Sequence, residues 1–405
     1  MTGVAAGRPQ PQTSVESPGG PFVRHSQPGR RAMYVSSTTS FAGVINNPLV
    51  AAPGYTRGYR LLWVGGAGGS GTATIATASV DSPFNVASLV QLKDSFGTPI
   101  IVAPGYEAFN LIQMFGGQYG TDMNANTLAV GGTYIPVQTA VSASTGTFQF
   151  STYLPFEFAK AYGCISSANA SLLPTLQFNL NTAANFFGAT QPSTAVTMTL
   201  TVDQDFYWLP EGVAVEPPGI GTTCQWLYQP ANPTIGSAAS LNVQLPRLGG
   251  YLSTIIAELR DSGAARTATG SGANGGWGSR IRMLVDGVPL IDSLLTTIYE
   301  DMSISWPSYG TFSGAAGGAA ATLSAGTAGI TQIGGVIAMS RKNGLAQNVM
   351  GLFDTGETYL STNPGTQLEF ACAPWGGVTS GPMTLNALCG QVVPAGSLIQ
   401  GLPEV

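Results

Sequence analysis

The chain has 405 residues, enough for two domains of roughly 200 residues or one unusually large one, and for a buried core without disulfides or metals. Charged residues are only 9% of it, 15 Lys and Arg against 20 Asp and Glu, where an ordinary soluble protein carries about 25%; apolar residues are 44%. His25 is the single histidine, which excludes a two-His zinc protease motif and any multi-His metal site, and the absence of a Gly-Lys dipeptide excludes a P-loop.

Residues 1–60 carry Arg8, Arg24, Arg30, Arg31, Arg57 and Arg60 against Glu16 alone, a net +5, while the remainder carries 9 basic and 19 acidic residues, a net −10. Residues 1–31 are rich in Pro, Gly, Gln and Ser and cannot build a core alone. The expectation is a basic arm over residues 1–40, either a solvated leader or a segment that orders on a polyanion such as anionic lipid headgroups or nucleic acid. The first 30 residues hold no continuous apolar stretch of the secretory-signal type. The charge-free tracts 161–202 and 302–340 are broken by Pro, Asn, Gln, Ser or Gly, so no transmembrane helix is expected.

From about residue 40 the dominant apolar period is two. A short helix is expected over 104–115, where Tyr106, Phe109, Ile112 and Met114 fall on one side. Phe148 and Phe150 alternate with Thr147, Gln149 and Ser151; Leu176, Phe178 and Leu180 with Gln177, Asn179 and Asn181; Val196, Met198, Leu200 and Val202 with Thr197, Thr199, Thr201 and Asp203. Such runs describe strands with one buried and one polar face. The Pro-bearing stretch 209–223 reads as an inter-domain connection. Beyond it, Ile281, Met283 and Val285, then Leu368 and Phe370, resume the alternation. A helix is expected over 286–302, with Leu290, Ile291, Leu294, Leu295 and Ile298 at helical spacing. The charge-free Gly/Ala/Ser/Thr tract 310–335 reads as an exposed insertion, a loop packed on a neighbour or a free linker. Strand runs separated by Gly-, Pro- and Asn-rich turns predict an all-β sandwich or barrel with few helices.

A faint internal repeat runs through the chain at an offset of 192 residues. Gly58-Tyr59 echoes Gly250-Tyr251, Ser70-Gly71 echoes Ser262-Gly263, and Leu176 and Phe178 echo Leu368 and Phe370.

Few motifs carry chemistry. The strings 66–71 and 270–275 match a dinucleotide fingerprint in letters, but residues 72–77, directly after Gly71, alternate like a strand and Asp81 comes too early for the ribose carboxylate. Asp203 and Asp205, two apart at a strand end, share a face and fit either paired glycosidase acids or calcium ligands, or carboxylates on a solvent face where the strand exits; Asp354 and Glu357 lie in a turn-like segment. Without a second histidine no nucleophile–base relay can be assembled, and no catalytic residue, cofactor site or metal site is assigned. The cysteines Cys164, Cys224, Cys372 and Cys389 are scattered, with no C-x-x-C pair, which argues against a zinc ribbon or a disulfide framework. A surface of Thr, Asn, Gln, Gly and Ala can be buried against copies of itself without desolvating ions, and sheet edges with few Lys and Glu invite association. The six tryptophans, Trp63, Trp208, Trp226, Trp277, Trp306 and Trp375, are candidates for core packing or for anchoring such contacts.

Several segments resemble the double jelly-roll major capsid proteins of tectiviruses, tailless icosahedral phages with an internal membrane. Residues 148–155 resemble a late strand of that family's first jelly roll, and 199–210 its last strand and the exit to the second roll; 85–91 and 251–255 also resemble family segments. The resemblance implies two tandem eight-stranded jelly rolls: a basic N-terminal arm over 1–40, a first roll over 41–209, a linker over 210–223, a second roll over 224–396 with the 310–335 insertion, and a tail over 397–405. It implies a structural virion protein, not an enzyme, made in the host cytoplasm and assembling as pseudo-hexagonal homotrimers into an icosahedral shell around a membrane and double-stranded DNA. Partners would be copies of itself, minor capsid and vertex proteins, and membrane lipids met through Arg8, Arg24, Arg30 and Arg31. A β-sandwich adhesin or receptor-binding module is the alternative, and a glycosidase using Asp203 and Asp205 a third reading.

Overall fold

The computed structural model describes residues 20–35, 40–66, 81–115, 138–217, 223–235, 241–260, 277–313, 322–329, 336–340, 360–373 and 383–393, apart from gaps of one to three residues inside these blocks. In the first half the strands are β1 (Gln27–Val35), β2 (Val44–Asn47), β3 (Tyr55–Gly66), β4 (Ala87–Lys93), β5 (Pro99–Ala103), the two-residue β6 (Gln138–Thr139), β7 (Phe148–Pro155), the two-residue β8 (Ile165–Ser166), β9 (Thr175–Leu180) and β10 (Thr197–Trp208). They pair antiparallel in the orders β1-β10-β3-β7-β6, with β8 beside β3, and β2-β9-β4-β5. Successive strands cross repeatedly between the two sheets, which is the winding of a jelly roll.

The second half repeats this winding. Its strands are β11 (Thr223–Ile235), β12 (Leu241–Gln244), β13 (Tyr251–Arg260), β14 (Arg280–Val285), β15 (Val288–Leu294), β16 (Ser308–Ser313), β17 (Thr322–Gly329), β18 (Val336–Ser340), the two-residue β19 (Leu360–Ser361), β20 (Leu368–Ala373) and β21 (Met383–Val393). The order β11-β21-β13-β18 matches β1-β10-β3-β7, and β12-β20-β14-β15 matches β2-β9-β4-β5. The chain is a tandem of two eight-stranded jelly rolls. The offset of 192 is therefore structural: it carries β3 onto β13 and β9 onto β20, and Phe178, opposite Ile45 and Val90, onto Phe370, opposite Val243 and Met283. The paired Ser-Gly positions of the echo lie outside the described residues. A parallel pairing of β5 with β11, Ile101 opposite Trp226 and Val102 opposite Leu227, joins one sheet of each roll into a nine-stranded sheet.

Alternation explains the burial. Met198, Leu200 and Val202 of β10 are buried while Thr199 and Thr201 between them are half-buried, so one face of the strand packs inward. Trp63 at the centre of the first roll meets Phe178 edge-on at 5.3 Å, stacks on Phe150 at 6.3 Å and tilts against Phe109 at 6.0 Å. Each such ring removes roughly 150–250 Å² from water, worth about 4 kcal/mol or more. In the second roll Trp277 meets Phe370 at 5.8 Å, among the aliphatic core residues Leu252, Ile255, Ile281 and Met283. Neither indole N–H has a hydrogen-bond acceptor among the described residues, so both rings are held by packing.

The structure corrects four expectations. Residues 27–35, assigned to the arm, form the outer strand β1 of the first roll, and the helix α1 (Gly20–His25) before them is anchored by buried Phe22. The helix expected over 286–302 is a strand followed by a helix. Asp286 and Gly287, with φ of 50° and 79°, make the two-residue turn of a β14–β15 hairpin, the geometry an Asp-Gly pair favours. The helix over 104–115 is broken, a π turn over Glu107–Leu111 that runs into α2 (Ile112–Phe115), and its polar residues Glu107, Asn110 and Gln113 are buried along with the apolar ones. A third short helix, α3 (Ala183–Phe187), is capped by Thr182, whose hydroxyl accepts from the Asn185 amide at 3.2 Å. The real helix of the second roll is α4 (Leu295–Ser305), which buries Leu295, Ile298 and Met302 at helical spacing. The described part of the Gly/Ala tract 310–335 is neither loop nor linker: residues 310–313 of β16 and all of β17 lie in it, and the two strands pair antiparallel.

Candidate functional site

Charged side chains are few, and the fold gathers most of the buried ones at two places. The first is the sheet β1-β10-β3. Arg30 and Arg31 are adjacent in β1 and so point to opposite faces. Arg30, half-exposed, donates from Nε to Asp205 Oδ1 at 2.6 Å, and Arg60 of β3 donates to Asp205 Oδ2 at 2.8 Å. The Asp205 carboxylate, on the strand between them, is buried and held by two guanidiniums; such charge-assisted bonds are about twice as strong as neutral ones. Arg31 donates to Gln204 Oε1 at 2.6 Å and to the Pro53 carbonyl at 3.1 Å, and lies 4.3 Å over the Phe206 ring. Gln204, fully buried, in turn donates to the Thr56 hydroxyl.

The same sheet ends in a second knot. Arg57 donates to Glu157 Oε2 at 2.6 Å, and Tyr207 donates to Glu157 Oε1 at 2.7 Å. Burial works against the Arg57 charge, but Glu157 outweighs it and raises the pKa. Phe22 packs edge-on between Tyr55 and Tyr207, at 5.5 Å from each, so the chain preceding β1 is pinned to this knot.

Of the predicted arm residues, Arg30 and Arg31 are thus tied into the first roll, Arg24 is exposed on α1, and Arg8 lies outside the described residues. Asp205 is not on a solvent face. It is buried and ion-paired to Arg30 and Arg60, and Asp203 lies half-buried in β10 opposite Ala32 and Arg60, so the two do not face a common cleft as an acid-and-nucleophile couple would. Asp354, Glu357, Trp306, Trp375 and the two Gly-rich strings lie outside the described residues, except Gly66, which ends β3. Trp63, Trp226 and Trp277 are buried in the core, and Trp208 is exposed at the end of β10. The four cysteines are buried, and burial pushes the Cys389 thiol up to about 12. Among the described residues no group of His, Cys, Asp and Glu is arranged to hold a metal, and no helix is long and apolar enough to cross a membrane.

The second gathering lies where the two rolls meet. Arg260, near the end of β13 in the second roll, donates to Asp81 at 2.6 Å and to Glu107 at 3.2 Å, both in the first roll, and to Glu258 of its own strand at 2.9 Å. Its guanidinium also lies 5.9 Å from the Tyr106 ring. Burial works against the Arg260 charge, yet Glu258, Asp81 and Glu107 hold it well above its ordinary pKa. Burial, then the charge of Glu258, pushes the Glu107 carboxyl well above the usual range, so it holds its proton where exposed carboxyls lose theirs. Burial beside these acids also raises the Tyr228 phenol. The cluster is a polar clamp between the rolls, and sequence reasoning missed it. Its signal was Glu258 and Arg260, two apart inside the apolar run 251–260, which marks a strand buried on both faces with ions on one of them.

These features define a double jelly roll with no assembled catalytic centre among the described residues. No protein-family profile matches the chain, and no curated protein matches it. Solved structures do. The STIV major capsid protein is 12% identical with a TM-score of 0.55, the match covering 93% of this chain and 100% of that one. The PBCV-1 protein VP54, fitted into a reconstruction of the virophage Sputnik, is 12% identical with a TM-score of 0.54, covering 91% and 93%. The Faustovirus major capsid protein is 9% identical with a TM-score of 0.51, covering 91% and 90%. At these identities the likeness is one of fold, and it spans double jelly-roll capsid proteins of several viruses, not tectiviruses in particular.

Proposed function

We propose that this chain is a major capsid protein, a structural subunit and not an enzyme, that forms homotrimers and tiles an icosahedral virion of the tectivirus type around an internal membrane. The observation that carries the proposal is the tandem of two equivalent rolls, which superposes on viral capsid proteins over more than nine-tenths of both chains. A chain with only 9% charged residues supports it, because lattice contacts can then be buried without desolvating many ions. In this reading the first roll is residues 27–208 and the second 223–393, joined by the stretch between. Arg8 and Arg24 precede the first strand and are the residues that face a polyanion, lipid headgroup or nucleic acid.

Light scattering on the purified protein should report three chain masses, and electron microscopy should show flat hexagonal particles or shells. A strict monomer under all assembly conditions would refute the proposal. Removing residues 1–19 should leave the trimer intact and impair shell assembly; removing residues 1–31 would take Phe22 and half of β1 and should abolish folding.

A further inference from the structure

Among the described residues, backbone pairing joins the two rolls only at Ile101 opposite Trp226 and Val102 opposite Leu227. What else crosses between them therefore decides how firmly they are held. The Arg260 cluster is the polar part of that contact. Its Nη1 donates to Asp81 Oδ2 at 2.6 Å, while a single nitrogen, Nη2, donates both to Glu107 Oε1 at 3.2 Å and to Glu258 Oε1 at 2.9 Å. The side chains of Asp81, Glu107 and Glu258 are only 6%, 2% and 3% exposed.

Glu107 has the poorer share of that nitrogen. Its bond is the longer one, and its second oxygen, Oε2, is buried with no hydrogen-bond partner among the described residues. An ionised carboxylate needs donors at both oxygens, and a bare one in a buried site is costly. A neutral carboxyl group avoids that bare charge, and burial together with the facing Glu258 keeps the proton on Glu107. Glu107 also begins the π turn 107–111, its carbonyl accepting from the Ile112 amide five residues on. Single π turns are uncommon and recur at functional sites, and tightening this one to the α register would turn Glu107 away from Arg260.

We infer that Glu107 is a proton-operated latch between the rolls. With its carboxyl neutral the clamp is shut. When the proton passes to water, the turn 107–111 lets go of the second roll and the rolls stay joined through β5, β11 and the connecting stretch 209–222. The direction follows from the charges: ionised Glu107 would stand beside Glu258 and Asp81 around Arg260, whose own charge those acids hold in place. The other titratable groups facing the cluster are the phenols of Tyr106 and Tyr228. Burial raises the Tyr228 phenol, so it stays neutral while Glu107 titrates. Asn110 beside Glu107 in the turn and Asn386 opposite Glu258 on β21 do not titrate. The latch is shut in acid and released as pH rises. It belongs to the single chain and stands whether or not the chain assembles as proposed.

The test is hydrogen–deuterium exchange of the full chain from about pH 5 to pH 9, corrected for the intrinsic pH dependence of exchange, beside Glu107→Gln, which is neutral throughout. In the parent, protection over residues 104–115 should fall about tenfold or more with rising pH, while the central strands β10 and β21 keep theirs. Glu107→Gln should show no such fall. Glu258→Gln removes the rival acid, so Glu107 can ionise against Arg260 with the latch still shut; it is the second check should Glu107→Gln fold poorly. Protection that stays level with pH in the parent overturns the latch. A fall shared by β10 and β21 is general unfolding and overturns it too, as does an equal fall in either variant.

Discussion

Phe178 and Phe370 occupy the same register of the same strand in the two rolls, yet their surroundings differ. Around Phe178 stand Trp63 and Phe109, with Phe150, Phe84, Phe148 and Phe186 beyond in one connected stack of rings. Phe370 has Trp277, and the rest of that core is mostly aliphatic. The winding is the same with either filling. Topology depends on which strands alternate and where turns fall, and many side-chain sets of similar volume satisfy it. What the filling changes is how much each roll loses when one ring is removed.

The sharpest way to test that difference is to cut the same ring in both rolls. Phe178→Ala should cost about 4–5 kcal/mol and Phe370→Ala about 3–4, the gap reflecting the extra aromatic pairs around Phe178. Urea unfolding followed by tryptophan fluorescence measures both, and equal losses would show that the ring stack adds nothing beyond its volume.

A somewhat smaller effect is expected at the clamp between the rolls. Arg260→Met leaves Asp81, Glu107 and Glu258 together without their shared cation, at a cost of about 3 kcal/mol. Because the clamp joins the rolls, the loss should appear as two separated unfolding transitions where the parent protein shows one.

The smallest effect is a slope. The raised pKa of Glu107 means the folded chain keeps a proton that the unfolded chain releases above about pH 4.5, so this residue lowers stability as pH rises toward its folded value. Glu107→Gln does not titrate and keeps an oxygen for Arg260. It should gain on the parent as pH rises above about 4.5, read as melting temperatures between pH 5 and pH 8. A constant difference at every pH would mean that Glu107 is ionised in the fold.

Much of the fold was legible in the residue order, for a local reason. In a strand half-buried against a sandwich, every second residue must be apolar, and Leu176, Phe178 and Leu180 or Val196 to Val202 record that without reference to any distant partner. The repeat at 192 residues was legible because equivalent strands face equivalent neighbours. The helix expected over 286–302 failed because Leu290, Ile291, Leu294 and Leu295 satisfy a helical period as well as a strand edge, while the Asp286-Gly287 turn held the deciding signal. Periodicity describes one face at a time and is silent on which face of which element it will meet.

Tertiary structure decided everything that depends on a partner far along the chain. Arg30 reads as one more positive charge of a basic leader until β10 brings Asp205 beside it, 175 residues away. Arg260 reads as a strand-end arginine until the first roll presents Asp81 and Glu107. A charge in a poorly charged chain is placed by whichever opposite charge can be desolvated with it, and that choice is made only when the rolls close on one another. Local alternation dictated the strands; long-range pairing chose which ions and which edges remain free.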